Sequence, residues 1–303
     1  MTDVTSQPAS EPASEPASEP ASGRAQSPAS EPPRSSRAGR NVPLATAVGI
    51  VLAALVVVTV VWAPLAFAIL VTVAFAIAVL ELVVSLGAVG VKAPRWPLLA
   101  GTVGMLLAAY WGGTQGLLVG FALTVVAIVF WRILSGPDGS VRDITGGVWI
   151  AAYAPLMAGF PVLMVTQSHG PQRVIVYIAT TICSDIGGFA LGVLFGRHPM
   201  APKLSPKKSW EGFAGSVVAC IACAVGLGVW LLHLHWWQGA LFGLAVVTAA
   251  TLGDLAESAV KRDVGVKDMG RILPGHGGLM DRLDSLIPVA PIAFVLLTAF
   301  VRP

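Results

Sequence analysis

Charge is what this sequence has least of. Asp, Glu, Lys and Arg make up 12% of its 303 residues, whereas hydrophobic residues make up 55% and the mean hydropathy is +0.77. A soluble domain carries about a quarter charged residues, so this composition excludes an ordinary soluble protein and predicts a surface that faces lipid. We expect the lipid bilayer as a partner and no nucleic acid.

Cysteine is also scarce. The three cysteines, Cys183, Cys220 and Cys223, are too few for a disulfide framework. Cys220 and Cys223 have the CxxC spacing of a redox pair, but they lie inside an apolar run without any strand–helix context. We therefore predict that they are helix-packing residues.

A low-complexity segment near the start of the chain lacks aliphatic and aromatic anchors. A Pro-Ala-Ser-Glu repeat runs from Pro8 to Ser22. Such a segment cannot bury enough apolar surface to offset its ordering entropy, which predicts disorder. The ~40 polar residues before the first apolar run also argue against a cleavable signal peptide. The sequence thus predicts a disordered cytoplasmic tail over 1–41 and a transmembrane domain over 42–303.

From Leu44 onward, long apolar runs alternate with short polar breaks. A spanning helix needs about 20 mostly apolar residues. The pattern predicts an all-α, polytopic integral membrane protein with about nine transmembrane helices. The predicted spans are 44–61, 64–86, 97–111, 116–133, 148–166, 172–196, 212–232, 236–253 and 285–301.

The placement of basic residues predicts the orientation. With the N-terminus in the cytoplasm, all 19 Lys and Arg residues except Arg173 and Arg302 fall in cytoplasmic segments. This is the distribution that the positive-inside rule requires. We expect a multi-pass protein of the cell (cytoplasmic) membrane, with its N-terminus and polar loops inside.

The stretch from Ser258 to Asp284 is the richest in charge. Asp254 and Glu257 come just before this stretch. Together with Ser258 they are spaced i, i+3 and i+4, so the three share one helix face. Asp281 and Asp284 are three apart and share a face at the start of the last helix. Carboxylates are what Mg²⁺ takes from a protein, with substrate phosphates completing its shell.

Basic residues and a glycine turn separate these two acid pairs. They are Lys261, Arg262, Lys267, Arg271 and the segment Gly275-His276-Gly277-Gly278. Glycines let backbone N–H groups converge on phosphate oxygens, and a following helix N-terminus adds a favourable dipole. An ordinary cytoplasmic loop would explain the Lys and Arg residues, but not the paired acids or the glycine turn. The stretch therefore favours nucleoside triphosphate chemistry.

A second polar group lies in and after the sixth span. Ser184 and Asp185 precede small residues that permit close helix approach, and a buried Asp needs a partner. Lys207, Lys208 and Glu211 lie ahead of or at the start of the next helix, where a lipid phosphate would lie. The alternative for the lysines is general attraction to anionic headgroups. Beside Asp185 and Glu211, we favour a binding site.

Three other acids receive ordinary roles. Glu81 is interpreted as a helix-end residue that packs against Lys or Arg at the interface. Asp138 and Asp143 are assigned to a polar loop.

The stretch from Ser258 to Asp284 resembles the signature of the phosphatidate cytidylyltransferases, or CDP-diacylglycerol synthases. The matching positions are Ser258, Lys261-Arg262, Lys267-Asp268, Gly270, Leu273-Pro274, His276-Gly277-Gly278, Asp281-Arg282 and Asp284. Ser184-Asp185 and the segment SPKKSWEG (205–212) are also similar to that family's, with Ser209 where threonine is usual. The resemblance covers the span layout from Leu44 onward and the motifs from 184 to 284.

The resemblance implies a nine-helix fold, Mg²⁺ dependence and the reaction of CTP with phosphatidic acid to give CDP-diacylglycerol and pyrophosphate. It places the metal on Asp254, Asp281 and Asp284, and the number of acids permits a second cation. The implied catalytic residues are Asp281, Asp254, Lys267, Asp268 and Lys261. The implied substrate-binding residues are Ser184, Asp185, Lys207, Lys208, Glu211, Ser258, Arg262, His276, Gly277, Gly278 and Arg282. Membrane homodimers are common in such families, but the sequence shows no interface.

Two other functions fit part of this pattern. The first is an ion- or proton-coupled transporter that uses the intramembrane residues Asp185 and Asp254, although neither inverted repeats nor paired broken helices are visible. The second is a CDP-alcohol phosphotransferase, whose DG-x₂-AR…G-x₃-D-x₃-D pattern is absent. Neither accounts for the glycine turn between the acid pairs.

Overall fold

The structure, a computed structural model, describes residues 42–202, 204–266, 268–270 and 278–301. The predicted tail (1–41) and the predicted site residues Lys267, His276 and Gly277 lie outside the described residues. The described chain is almost entirely helical, which confirms the all-α class. Its elements are α1 (Val42–Trp62), α2 (Pro64–Ala88), α3 (Arg95–Leu134), α4 (Ser140–Ala151), a π-helical turn (Ala152–Leu156), α5 (Met157–Val165), α6 (Gly170–Phe195), β1 (Pro199–Ala201), β2 (Ser205–Ser209), α7 (Trp210–Leu232), α8 (Trp236–Val264), α9 (Met280–Leu283) and α10 (Leu286–Phe300).

Each of the nine predicted spans coincides with helical structure. Within the described residues, seven helices are long and apolar enough to cross a membrane, and Val51–Trp62 is a shorter apolar helix. Two of these seven are composite, because α4 continues through the π-helical turn into α5, and α9 continues into α10. A third, α3, contains two of the predicted spans. The polytopic membrane architecture is therefore confirmed.

Helix α3 folds back on itself. A straight helix of its 40 residues would be about 60 Å long. However, a Cβ at Gly101 would collide with Thr124, and one at Gly120 would lie 2.9 Å from the Cα of Met105. The reversal occurs at Gly113, where φ is 60° and ψ is −150°, a conformation that favours glycine. The predicted spans 97–111 and 116–133 are thus two antiparallel arms.

Proline marks two other breaks. Only Ala63 separates α1 from α2, and Pro64 starts α2, where a missing N–H costs nothing. Pro155 lies in the π-helical turn, which accommodates the backbone bond that proline cannot make. The fifth span begins earlier than predicted, at Ser140 instead of 148.

Small residues bring α6 and α7 into backbone contact. A Cβ at Gly187 would lie 2.6 Å from both the Cβ of Ala219 and the carbonyl oxygen of Gly215, and one at Gly188 would lie 2.5 Å from the Oγ of Ser216. The antiparallel strands β1 and β2 join the two helices. This confirms the predicted close approach after Asp185. It also fixes the distance between the two helices that carry much of the site.

We predict that this contact tolerates no added methyl group. Gly215→Ala should lower the melting temperature in detergent, because its Cβ would lie 2.5 Å from the carbonyl oxygen of Gly187 and overpacking costs about 1–3 kcal/mol. Gly226→Ala on the same helix is the matched control, since nothing lies within 4 Å of its Cβ position. The control should be neutral or stabilising by up to about 1 kcal/mol. Equal melting temperatures for the two variants would contradict the prediction.

A buried ion pair corrects the assignment of Asp143 to a polar loop. Asp143 lies in the first turn of α4 and is completely buried. It accepts a hydrogen bond of 2.9 Å from the Nε of Arg132 and one of 2.8 Å from the backbone N–H of Lys92. The side chain therefore joins the α2–α3 connection to the end of α3. The sequence alone does not reveal this contact, because a residue in a short polar break is normally solvated.

Candidate active site

Three helices meet where the predicted acids lie. A side chain at Gly253 of α8 would collide with Pro288 of α10 and lie 3.0 Å from the carbonyl oxygen of Asp284. This close crossing brings Asp254, which follows Gly253, to the level at which α10 begins. From α6, Asp185 accepts a long hydrogen bond of 3.4 Å from the Oγ of Ser285.

Ser285 links two of the acids. Its backbone N–H donates to the Oδ1 of Asp284 at 2.7 Å, and its Oγ lies 3.3 Å from the same atom. Since Ser285 also contacts Asp185, carboxylates from α6 and from the start of α10 share one hydroxyl. Ser285 itself is buried, so it fixes this spacing.

A cavity of about 230 Å³, which we call the Asp254 cavity, opens beside these acids. It lies between α6, α7, α8 and strand β2. Its polar lining includes Ser184, Asp185, Lys207, Lys208 and Asp254. Lys208 forms an ion pair with the Oδ2 of Asp254. Asp185 is exposed to the cavity, so the prediction of a buried Asp at this position is wrong.

The Asp254 cavity has an apolar side. Phe189 of α6 lines it and is 74% exposed on the outside of the helix bundle. Its exposed neighbours Ile186, Val193 and Leu194 form an apolar surface on α6. The cavity therefore connects lysine ammonium groups to a surface that suits lipid.

Lys261 neutralises two further acids. Its Nζ lies 2.6 Å from the Oδ1 of Asp281 and 2.8 Å from the Oε1 of Glu257. Glu257 is only 1% exposed, so the loss of Lys261 would leave a buried carboxylate uncompensated. Asp281 also accepts backbone N–H bonds from Met269 and Gly278, each at 3.0 Å to its Oδ2. Gly278 thus contributes a backbone donor, but to a carboxylate of the chain itself.

A second cavity, of about 270 Å³, lies between the β1–β2 connection and the end of α8. We call it the Arg262 cavity. Its lining contains the predicted residues Ser258, Lys261, Arg262 and Asp268. Lys207 lines both cavities, so the two basic clusters recognised in the sequence meet at this lysine.

Comparison with known proteins gives the family. A model of the cytidylyltransferase family matches residues 44–300. The chain belongs to the cytidylyltransferase family. It is 43% identical over 278 residues to a protein of Mycobacterium leprae named phosphatidate cytidylyltransferase, covering 86% of this chain and 89% of that one. A Mycobacterium bovis protein of the same name is 40% identical over 277 residues, covering 87% and 90%. One from Staphylococcus epidermidis is 34% identical over 171 residues, covering 56% and 65%.

The acids of this cytidylyltransferase fit a cation that is shared with a substrate. Within the described residues, no three His, Cys, Asp or Glu side chains lie close enough together to hold a metal alone. Mg²⁺ is usually held by one or two carboxylates together with substrate phosphates. The α8–α10 crossing, where a Cβ at Gly253 would lie 3.0 Å from the carbonyl oxygen of Asp284, brings the backbones that carry Asp254 and Asp284 together. Asp281 lies one helical turn before Asp284, where its carboxylate contacts Lys261 and two backbone N–H groups.

Besides Gly278, two described residues of the predicted substrate-binding set, Glu211 and Arg282, line neither cavity. Glu211 accepts backbone N–H bonds of 3.2 Å from Arg197 and His198, and its Oε1 lies 2.5 Å from the Nδ1 of His198. It therefore fixes the end of α6 against the start of α7. Arg282 is exposed on the short helix α9 and lines neither cavity.

Sequence reasoning missed several residues of this family member's site. Glu81 was assigned to the interface, but it is 4% exposed and accepts backbone N–H bonds from Leu279 and Met280. Ser85, one turn further along α2, donates to the carbonyl oxygen of Met269. The only sequence signal for Glu81 was a single acid within an apolar run. Ser285 gave no signal.

Proposed function

We propose that this protein is a phosphatidate cytidylyltransferase, which transfers the cytidylyl group of CTP to phosphatidic acid for phospholipid synthesis. The observation that carries the proposal is the meeting of two lysine-lined cavities at Lys207. One cavity borders an apolar outer surface and suits a lipid phosphate, whereas the other is lined by Lys261 and Arg262 at the end of α8 and suits a water-soluble triphosphate. The names of the mycobacterial relatives support the same activity.

The reaction joins two anions. A phosphate oxygen of phosphatidic acid attacks the α-phosphorus of CTP, a new P–O bond forms, and the bond to the β-phosphate oxygen breaks to release pyrophosphate. The attacking oxygen is already an anion, so the enzyme needs no strong general base. It must align two molecules that repel each other and compensate the charge on the leaving group.

The residues divide this work by position. Lys208 and Lys207 would orient the lipid phosphate in the Asp254 cavity. Arg262, Lys261 and Ser258 would hold the triphosphate in the Arg262 cavity, with Lys267, His276 and Gly277 as further contacts predicted by the motif. Lys261 also keeps Asp281 and Glu257 in place through its two ion pairs.

Mg²⁺ is proposed as the cofactor, held by Asp254 and Asp284 with Asp281 close by. When bound, it would neutralise charge on the phosphates of CTP. Support comes from the five carboxylates that α6, α8 and the residues before α10 contribute to this part of the protein. These acids are Asp185, Asp254, Glu257, Asp281 and Asp284, and Lys208 and Lys261 contact three of them.

The two cavities are proposed to face the cytoplasm, where CTP is found. The distribution of Lys and Arg supports this orientation through the positive-inside rule. Arg173, one of the two exceptions, is 2% exposed and donates hydrogen bonds to the carbonyl oxygens of Leu297 and Val301. It therefore joins the start of α6 to the end of α10, and its placement reflects packing.

Purified protein in mixed micelles tests the proposal. With labelled CTP and phosphatidic acid, we expect a labelled lipid and an equal amount of pyrophosphate, and neither product when one substrate is omitted. Release of CMP from added CDP-diacylglycerol and an alcohol acceptor, without pyrophosphate from CTP, would indicate a CDP-alcohol phosphotransferase. Ion uptake by proteoliposomes without pyrophosphate would indicate the transporter, which the comparisons do not support. Either result would refute the proposed reaction.

A further inference from the structure

Helix α2 sends two buried polar side chains to the segments that carry the acid pair. Glu81 and Ser85 are one helical turn apart, and they are 4% and 6% exposed. A carboxylate at this depth is costly unless it is well hydrogen-bonded. Neither residue belongs to the motif that identifies the family, and 198 residues separate Glu81 from its contact Leu279.

Glu81 binds the backbone immediately before and at the start of α9. Its Oε1 accepts the N–H of Leu279 at 3.1 Å, and its Oε2 accepts the N–H of Met280 at 2.8 Å. Bonds to an ionised acceptor are about twice as strong as neutral ones. The carboxylate therefore fixes the backbone one residue before Asp281.

Ser85 contacts the second segment that surrounds Asp281, residues 268–270. Its Oγ donates to the carbonyl oxygen of Met269 at 2.7 Å, while the N–H of Met269 donates to both oxygens of Asp281. Gly278 donates a third N–H bond to Asp281. The residues that α2 contacts are thus either hydrogen-bonded to Asp281, as Met269 is, or next to it in the chain, as Met280 is.

Two glycines of the motif leave room for the Glu81 carboxylate. A Cβ at Gly270 would collide with Glu81 Oε1, and one at Gly278 would lie 2.9 Å from Glu81 Oε2 and 2.6 Å from the backbone nitrogen of Gly270. Glycine is therefore required at both positions by close packing of the loop ends around the carboxylate. The motif glycines and the acid on α2 form one structural unit.

We infer that Glu81, together with Ser85, is a positioning residue for the cytidylyl transfer, holding Asp281 and Asp284 in their working positions. The inference rests on the proposed function. Glu81 touches neither cavity, so it acts through the backbone of Met269, Leu279 and Met280. A residue of this kind changes turnover without exchanging a proton with the substrate.

The test compares Glu81→Gln, Glu81→Ala and Ser85→Ala with a control, Val84→Ala, whose side chain on the same helix is 73% exposed. Gln keeps one acceptor, so its kcat should fall about tenfold, and that of Ala about a hundredfold. The apparent KM for phosphatidic acid should change by less than about threefold, because the lipid cavity is intact. The pH profile of kcat should keep its wild-type shape, and Val84→Ala should match the wild type.

A double variant provides a second measurement, which does not depend on Glu81→Ala, the most disruptive substitution. The effects of Glu81→Gln and Ser85→Ala on kcat should be non-additive, because both side chains bind the segments that surround Asp281. If kcat per folded molecule is unchanged in Glu81→Gln and Ser85→Ala while the melting temperature falls, Glu81 only stabilises the fold and the inference is wrong. An altered pH profile would make Glu81 a proton-transfer group, which also overturns it. A wild-type protein without activity would refute the proposed function instead.

Discussion

Replacing Asp281 by Asn is expected to lower turnover by about a thousandfold or more while the protein remains folded. The substitution keeps the size of the side chain but removes its charge. It also replaces one oxygen by an amide NH₂, which would face the N–H of Met269 together with either the Nζ of Lys261 or the N–H of Gly278. The substitution would therefore weaken the hydrogen bonds around Asp281 and remove a negative charge beside the proposed Mg²⁺ site.

A matched substitution and a metal titration complete this experiment. Asp138→Asn makes the same chemical change on an exposed side chain and should leave turnover unaffected. If Asp281 helps to hold Mg²⁺, the variant should need a higher Mg²⁺ concentration for its residual activity. Retention of a tenth of wild-type turnover at saturating Mg²⁺, roughly a 1.4 kcal/mol effect, would refute the role of Asp281.

The spans could be predicted from the sequence because they depend on the length of each apolar run. The runs 97–111 and 116–133 predicted two successive membrane crossings, and the structure has them as two antiparallel arms joined at Gly113. The close contact of α6 and α7 was signalled by Gly187 and Gly188. These are local signals, and bilayer thickness converts them directly into structure.

The pairing of charges could not be predicted in the same way. Lys208 and Asp254 are joined through the packing of α7 between α6 and α8, which no local pattern encodes. Glu211 follows Lys208 closely in sequence, yet its carboxylate turns to the backbone of Arg197 and His198 instead of a cavity. Glu81 was misassigned for the same reason, since its partners lie at the opposite end of the chain.

Lys208→Ala and Arg262→Ala are expected to affect different substrates. Each substitution would remove one proposed charge-assisted phosphate contact, and losing such a contact costs about 1.5–3 kcal/mol, or ten- to a hundredfold in apparent affinity. Lys208 lines only the Asp254 cavity, so its loss should mainly raise the KM for phosphatidic acid. Arg262 lines only the Arg262 cavity, so its loss should mainly weaken the use of CTP.

Arg262 is a cleaner probe of the triphosphate site than its neighbours. Lys261→Ala would leave the carboxylates of Asp281 and the buried Glu257 without their positive partner. The motif residue Lys267 lies outside the described structure. Arg262 is exposed, so its removal should leave the packing of α8 unchanged. Lys267→Ala is still predicted to weaken CTP use or the chemical step, since a triphosphate needs a cation at its leaving end.

Kinetics in mixed micelles, with the surface fraction of phosphatidic acid and the CTP concentration varied independently, measure both effects. Lys208→Arg keeps the charge beside Asp254 and should recover most of the affinity for phosphatidic acid, whereas Lys208→Ala should not. Lys207 lines both cavities, so Lys207→Ala should raise both KM values and serves as the internal standard for a shared contact. If Lys208→Ala and Arg262→Ala also raise both KM values equally, the two cavities do not separate the substrates, and the assignment of one cavity to each is wrong.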